Sequence, residues 1–207
     1  YINYRSKLKF GVMETLNLKA IPICYEKNAY HLTEKEFNII LNIKYRESKK
    51  GFFLSESCSV LQDKGLVNLK KFLVQKAEDY AKNILEVKDK IYLTQSWSTF
   101  LKKNAFHPPH NHPNSFISAV YYVQCDKGFL VFEVRTSSIQ EGFNFDYKIS
   151  RYNIYNSQSW DLPVKSGSVV LFPGHVSHTS SPHLSSTPRI LIGANFFVKG
   201  QIGTQKN

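Results

Sequence analysis

The sequence has no run of 18 apolar residues, so no membrane-spanning helix is predicted. It has no C-x-x-C pair, and its three cysteines, Cys24, Cys58 and Cys125, are scattered. Such a set argues against a disulfide framework and a structural zinc site, and fits a reducing compartment. Acidic residues are scarce: 16 stand against 27 Lys and Arg, for a net charge of +11. That surplus keeps nucleic acid, a membrane headgroup or an acidic small molecule in view without choosing among them. Tyr1 to Arg5 hold neither Met nor an apolar signal core. The expectation is a trimmed start and an intracellular, cytoplasmic protein with no membrane partner. No internal repeat, Ser-His-Asp set or paired-carboxylate constellation is apparent.

What the sequence does have is enough apolar material for one core: 207 residues, 42% hydrophobic and 14% aromatic, expected to form a single domain over 1–207. The first 89 residues read as support. Residues 16–25 form a half-alternating strand candidate. Thr33 and Glu36 have capping-box spacing, and Phe37, Ile40, Leu41 and Tyr45 follow at helical spacing, which predicts a helix over 34–47. Leu69, Phe72, Leu73, Ala77, Tyr80, Ile84 and Leu85 draw one face of a stronger helix. Between the helices, 51–65 reads as a polar loop. From residue 90 to 203 the pattern turns to strands, predicted at 91–97, 116–123, 129–134, 169–172 and 190–198, with 135–160 as a long loop or irregular hairpin. The predicted class is α+β, mainly β. Its β block closes as a sandwich or barrel behind N-terminal helices.

Six of the seven histidines fall in two clusters, at 107–112 and 175–183. His110 and His112 are spaced i, i+2, which puts both side chains on one face of an extended segment. Imidazole suits Fe, Zn, Cu and Ni, and a third ligand can come from a distant strand when a barrel closes. An H-x-H pair alone is weak evidence, and His31 and His183 read as polar surface. The second cluster strengthens the case. Gly167 to His178 reads as a turn, a buried strand, a proline stop and then histidines. Arg189 opens the apolar strand that follows. A guanidinium there needs an anion, either a protein carboxylate or a small carboxylate ligand gripped in two places.

These segments resemble a known family. His110-Asn-His112-Pro-Asn-Ser leads into Ser118-Ala-Val-Tyr121-Tyr122-Val. Phe172-Pro-x-x-x-x-His178 follows, and then Arg189-Ile-Leu-Ile-Gly-Ala-Asn195-Phe. The set is similar to the 2-oxoglutarate/Fe(II) oxygenases of marine phages and bacteria, over residues 91–203. The resemblance implies a double-stranded β-helix, also called a jelly roll and cupin-like. It implies Fe(II) and 2-oxoglutarate as cofactors with O₂ as co-substrate. His110, His112 and His178 would be the metal ligands and catalytic centre. Arg189 would bind the distal carboxylate of 2-oxoglutarate with the Tyr122 hydroxyl as second donor, and Asn195 would line that pocket. Trp97 would wall the site, and His107 and His175 would stand behind it or at its entrance. The implied activity is a hydroxylation coupled to conversion of 2-oxoglutarate to succinate, in host cytoplasm if phage-encoded. The prime substrate would be a protein side chain, a nucleobase or a metabolite.

Two departures stand out. The wider superfamily has His-x-Asp/Glu where this chain has His112, so one alternative is a register that uses His112 and leaves Asn114 at the carboxylate position, and another is a carboxylate from elsewhere, such as Glu133 or Asp126, completing the set. Leu191 replaces a Ser two residues after the arginine, which removes a hydroxyl that could help hold the carboxylate. A cupin enzyme that does not use 2-oxoglutarate is the runner-up, although Phe116 stands where cupins carry Glu and Arg189 would have no role. A basic jelly-roll module that binds nucleic acid is the non-enzymatic alternative.

Overall fold

The computed structural model describes residues 8–10, 13–15, 20–133 and 148–200. Strands β1 (Leu8–Phe10) and β2 (Met13–Thr15) form a small hairpin. After β3 (Cys24–Glu26) comes helix α1 (Glu34–Leu41). Its capping box is closed in both directions: Thr33 Oγ1 accepts from the Glu36 N–H at 3.2 Å, and Glu36 Oε2 accepts from the Thr33 N–H at 2.9 Å. The helix is shorter than its periodicity predicts. Residues 45–49 instead form β4 (Tyr45–Lys49), which pairs with β5 (Phe52–Ser55) inside the supposed loop. Gly51, at φ +74°, makes the tight reversal. The Tyr45 hydroxyl shares a 2.7 Å hydrogen bond with Ser98, so tertiary pairing overrides the helical spacing.

Two 3₁₀ turns, Val60–Gln62 and Lys64–Leu66, lead into α2 (Val67–Asn83), which matches the predicted helix. The β block follows: β6 (Lys90–Leu101), β7 (Ile117–Gln124), β8 (Gly128–Glu133), β9 (Ser159–Val164), β10 (Val169–Pro173), β11 (His178–Ser180) and β12 (Arg189–Lys199). Strand β9 (SWDLPV) carries a proline and β11 has three polar residues, so neither is predicted from the sequence. Part of the long loop read at 135–160 lies outside the described residues, and its last two positions belong to β9.

Seven antiparallel strands form the larger sheet, in the order β3-β10-β7-β12-β6-β5-β4, and three form the smaller one, β11-β8-β9. Helix α2 covers one face of the larger sheet. Leu69, Leu73, Ala77 and Tyr80 pack there with Ala119, Tyr121, Ile190 and Ile192. The opposite face turns to the smaller sheet, where Val120, Tyr122, Val170, Phe172 and Leu191 meet Leu130, Phe132 and Val164. Strand β7 is therefore buried on both faces, which is why Ile117 to Val123 reads as a continuous apolar run rather than an alternation. This two-sheet jelly roll, buttressed by helices, is the architecture the sequence predicted.

Candidate metal centre

After β6 the chain crosses to the smaller sheet and runs beside β11. The N–H of His183 donates to Ala105 O, that of Ser180 to His107 O, and His110 and His178 exchange both backbone bonds at 3.0 and 2.9 Å. This pairing places the two histidines opposite each other although 68 positions of sequence order separate them. The His112 N–H is anchored to Gly174 O at 2.8 Å. Gly174 accepts no side chain, because a Cβ would lie 2.3 Å from Ser115 O. Asn114, at φ +62°, completes the turn after His112.

His110, His112 and His178 each offer a ring nitrogen, and these atoms all lie within 4.8 Å of one another. The His110 Nδ1–H donates to Pro108 O at 2.9 Å and the His178 Nδ1–H to Val176 O at 3.0 Å. A carbonyl only accepts, so both rings carry the proton on Nδ1 and present the Nε2 lone pair to the cluster. The Nε2 atoms of His112 and His178 are 3.3 Å apart. Two nitrogens sharing one cation at about 2.1 Å would stand at about that separation. Burial holds the pKa of His112 down to about 4 and that of His178 down to about 3, with His110 adding to both, so the imidazoles are neutral donors at neutral pH. The residues fit a borderline transition metal such as Fe(II).

Aromatic rings hold this cluster. His107 stacks on His110 at 3.9 Å and packs against Phe52 at 4.5 Å. Trp97 stacks on His112 at 5.2 Å and 26°. The indole lies over Gly193, where a Cβ would come within 2.4 Å of it. Phe172 closes on His178 at 4.6 Å. His175 is exposed and outside the cluster. His183 is not the surface residue its sequence context suggests: it is fully buried, and its Nε2–H donates to Thr187 O at 2.6 Å. Among the described residues no carboxylate joins the cluster. Glu133 accepts from Ser177 Oγ and Asp126 from Ser185 Oγ, and Asn114 sits in the turn.

Arg189 opens β12, four residues from Gly193, so it sits about 13 Å along the strand from the Trp97 contact. It is 1% exposed. Its Nη1 donates to Ser181 O at 3.0 Å, its Nη2 reaches Lys127 O at 3.5 Å, and its Nε has no partner. The guanidinium lies so close over Gly128 that a Cβ there would meet Nη2 at 2.3 Å. No Asp or Glu among the described residues forms an ion pair with it. Tyr122 is buried beside it. Burial and then Cys125 push the phenol up, while Arg189 pulls the other way. Asn195 lies further along the same face of β12. Its Oδ1 accepts from Ser118 Oγ at 2.9 Å and its Nδ2 donates to Gln95 Oε1 at 3.2 Å. The three histidines thus meet at one place, and Arg189 and Tyr122 meet at another within the same interior. The glycines at 128, 174 and 193 that admit these arrangements carry no signal in the sequence, because their partners come from other strands.

Residues 95–195 match the family model described as "Putative 2OG-Fe(II) oxygenase". All six predicted site residues fall inside that segment. That match covers 101 of the 207 residues and likens this segment to 2-oxoglutarate/Fe(II) oxygenases. Solved structures share the fold. HygX from Streptomyces hygroscopicus, crystallised with nickel, 2-oxoglutarate and hygromycin B, is 12% identical at a TM-score of 0.59, over 84% of this chain and 82% of its own. The α-ketoglutarate-dependent epimerase SnoN from nogalamycin biosynthesis is 13% identical at 0.58, over 85% and 78%. A 2OG-Fe(II) oxygenase family oxidoreductase from Burkholderia pseudomallei is 9% identical at 0.54, over 84% and 83%. None of the curated proteins matches the sequence. The family match over 95–195 and the three-histidine cluster together indicate an enzyme of the 2-oxoglutarate/Fe(II) oxygenase type.

Proposed function

We propose that His110, His112 and His178 hold Fe(II) as an all-histidine set, and that Arg189 with Tyr122 receives the distal carboxylate of 2-oxoglutarate. The observation that carries this reading is Arg189. A buried cation with an unsatisfied Nε and no described carboxylate partner is costly unless an anion reaches it. A cupin that does not use 2-oxoglutarate leaves that charge unexplained. HygX, which shares the fold, is crystallised with both nickel and 2-oxoglutarate.

Bound Fe(II), 2-oxoglutarate and O₂ supply the oxidising chemistry, with 2-oxoglutarate leaving as succinate and CO₂. The chain's own residues do the rest. The backbone carbonyls of Pro108 and Val176 keep two Nε2 lone pairs aimed inward. Phe132 and Phe172 exclude water beside His178. The neutral third ligand, His112, leaves the centre one charge more positive than a site with a carboxylate there. Asn195 positions Ser118 and Gln95 at the wall of the pocket.

The reaction we assign is hydroxylation of a prime substrate, in a cytoplasmic protein whose residues 1–89 and 90–203 act as one domain. The finer grouping with oxygenases of marine phages and bacteria rests on the H-x-H-P motif and belongs to the same proposal. The test is succinate release from 2-oxoglutarate under Fe(II) and O₂. His178→Ala is expected to reduce it at least 100-fold. Arg189→Ala is expected to weaken 2-oxoglutarate binding to the Mn(II) protein by tenfold or more in calorimetry. Unchanged binding in that variant would remove the Arg189 assignment.

A further inference from the structure

Leu191 stands two residues after Arg189 on the same face of β12 and offers no hydroxyl there. The register of β6 and β12 puts Thr99 directly opposite Leu191. Directly opposed residues of an antiparallel pair project from the same face. The pair two positions along, Trp97 and Gly193, shows this directly, since the indole lies over the glycine. Leu191 packs in the cluster that faces the smaller sheet, so Thr99 projects into the same interior as Arg189. Thr99 is 0% exposed, and its Oγ1 has no hydrogen-bond partner. Its neighbour on the opposite face, Ser98, is satisfied by Leu191 O at 3.2 Å. A buried hydroxyl left unpaired is unfavourable, and a valine would fill the same space without that cost. The Nε–H of Arg189, which stands two positions along β12 on the same face, is unpaired in the same way.

We propose that Thr99 binds the distal carboxylate of 2-oxoglutarate, its hydroxyl donating from β6 in place of the one that Leu191 lacks on β12. The assignment rests on the reading of Arg189 given above. One carboxylate accepts from both the Arg189 Nε–H and the Thr99 hydroxyl, so a single anion satisfies two buried donors that the fold leaves unpaired.

The experiment is calorimetric titration of 2-oxoglutarate into the Mn(II)-loaded full chain, which binds without turnover. Thr99→Val is expected to weaken binding about tenfold, the loss of one hydrogen bond to a charged group. Thr99→Ser keeps a hydroxyl and is expected to stay within about threefold of the parent. Mn(II) affinity of the ligand-free protein is expected to be the same in all three. Binding of 2-oxobutyrate, which lacks the distal carboxylate, is expected to be equal in the parent and Thr99→Val. Adding Leu191→Ser to Thr99→Val returns a hydroxyl from the opposite strand and is expected to recover part of the loss. Equal 2-oxoglutarate affinity in the parent and Thr99→Val would overturn the Thr99 assignment and leave Arg189 standing. A parent protein that binds Mn(II) and no 2-oxoglutarate would remove the cofactor reading itself. If Thr99→Val weakens 2-oxobutyrate as much as 2-oxoglutarate, the hydroxyl acts elsewhere and the proposal fails.

Discussion

His112 differs from its two partners in how it is held. His110 and His178 each hand an Nδ1 proton to the backbone carbonyl two residues before them, and among the described residues His112 makes no such bond. Its ring is steadied by Trp97, which Gly193 lets settle against β12. Removing the groups that orient a ligand typically costs 10–100-fold in metal affinity. Trp97→Leu is therefore expected to weaken Mn(II) binding roughly tenfold in calorimetry, and His178→Ala to weaken it further. The two tryptophans also provide an optical check. In Trp160→Phe the remaining indole is stacked on a proposed ligand, so Co(II) is expected to quench its emission on binding. Emission indifferent to saturating Co(II) would place the metal elsewhere. The i, i+2 spacing of His110 and His112 could be read from the residues, as could His178 from the motif. The aromatic supports could not: Phe52, Trp97 and His107 reach the cluster only through strand pairing and a crossing segment.

At the level of elements, α2 and the larger sheet divide the work. The helix buries Leu69, Leu73, Ala77 and Tyr80 against one face, so the other face is free to form the interior that holds the site. Leu73→Ala is expected to cost about 2–5 kcal/mol in urea unfolding, the range for a large-to-small change in a packed core. Thr33→Ala opens the capping box of α1 and is expected to cost about 1 kcal/mol. The helical period of α2 and the apolar run of β7 were legible because burial on one or both faces writes itself into the residue order. The hairpin of β4 and β5 was not. Its residues are charged or aromatic with helical spacing, and only pairing with β6 makes strands of them. Short β11 was hidden for a similar reason: three polar residues become a strand because β8 lies beside them.

The whole molecule gathers four histidines into one apolar interior, and this has a consequence for pH. Burial holds His107 down to about 2, His178 to about 3 and His112 to about 4, against an ordinary value of 6.5. Above pH 6.5 these rings are neutral in both folded and unfolded chains. Between 6.5 and about 4 the unfolded chain takes up protons that the folded chain refuses, so stability falls as pH falls and is full above 6.5. Melts of EDTA-treated protein are expected to show Tm declining steadily from pH 7 to 4.5. The decline is expected to be shallower in His107→Phe, which keeps the ring stack and removes the most strongly shifted group. A flat profile would show that the cluster is wetter than its burial implies. The sequence by itself determined the chemistry on offer: neutral imidazoles at two places, a guanidinium at the head of an apolar strand, a chain without paired carboxylates, and helical and strand periods that call for a mainly β fold. Those are properties of residue type and spacing along the chain. Tertiary structure alone decided that His183 is core and His175 surface, that the described carboxylates stay out of the histidine cluster, and that Thr99 faces Leu191. Each of these depends on which strand lies beside which, and strand register is settled by packing between segments tens of residues apart.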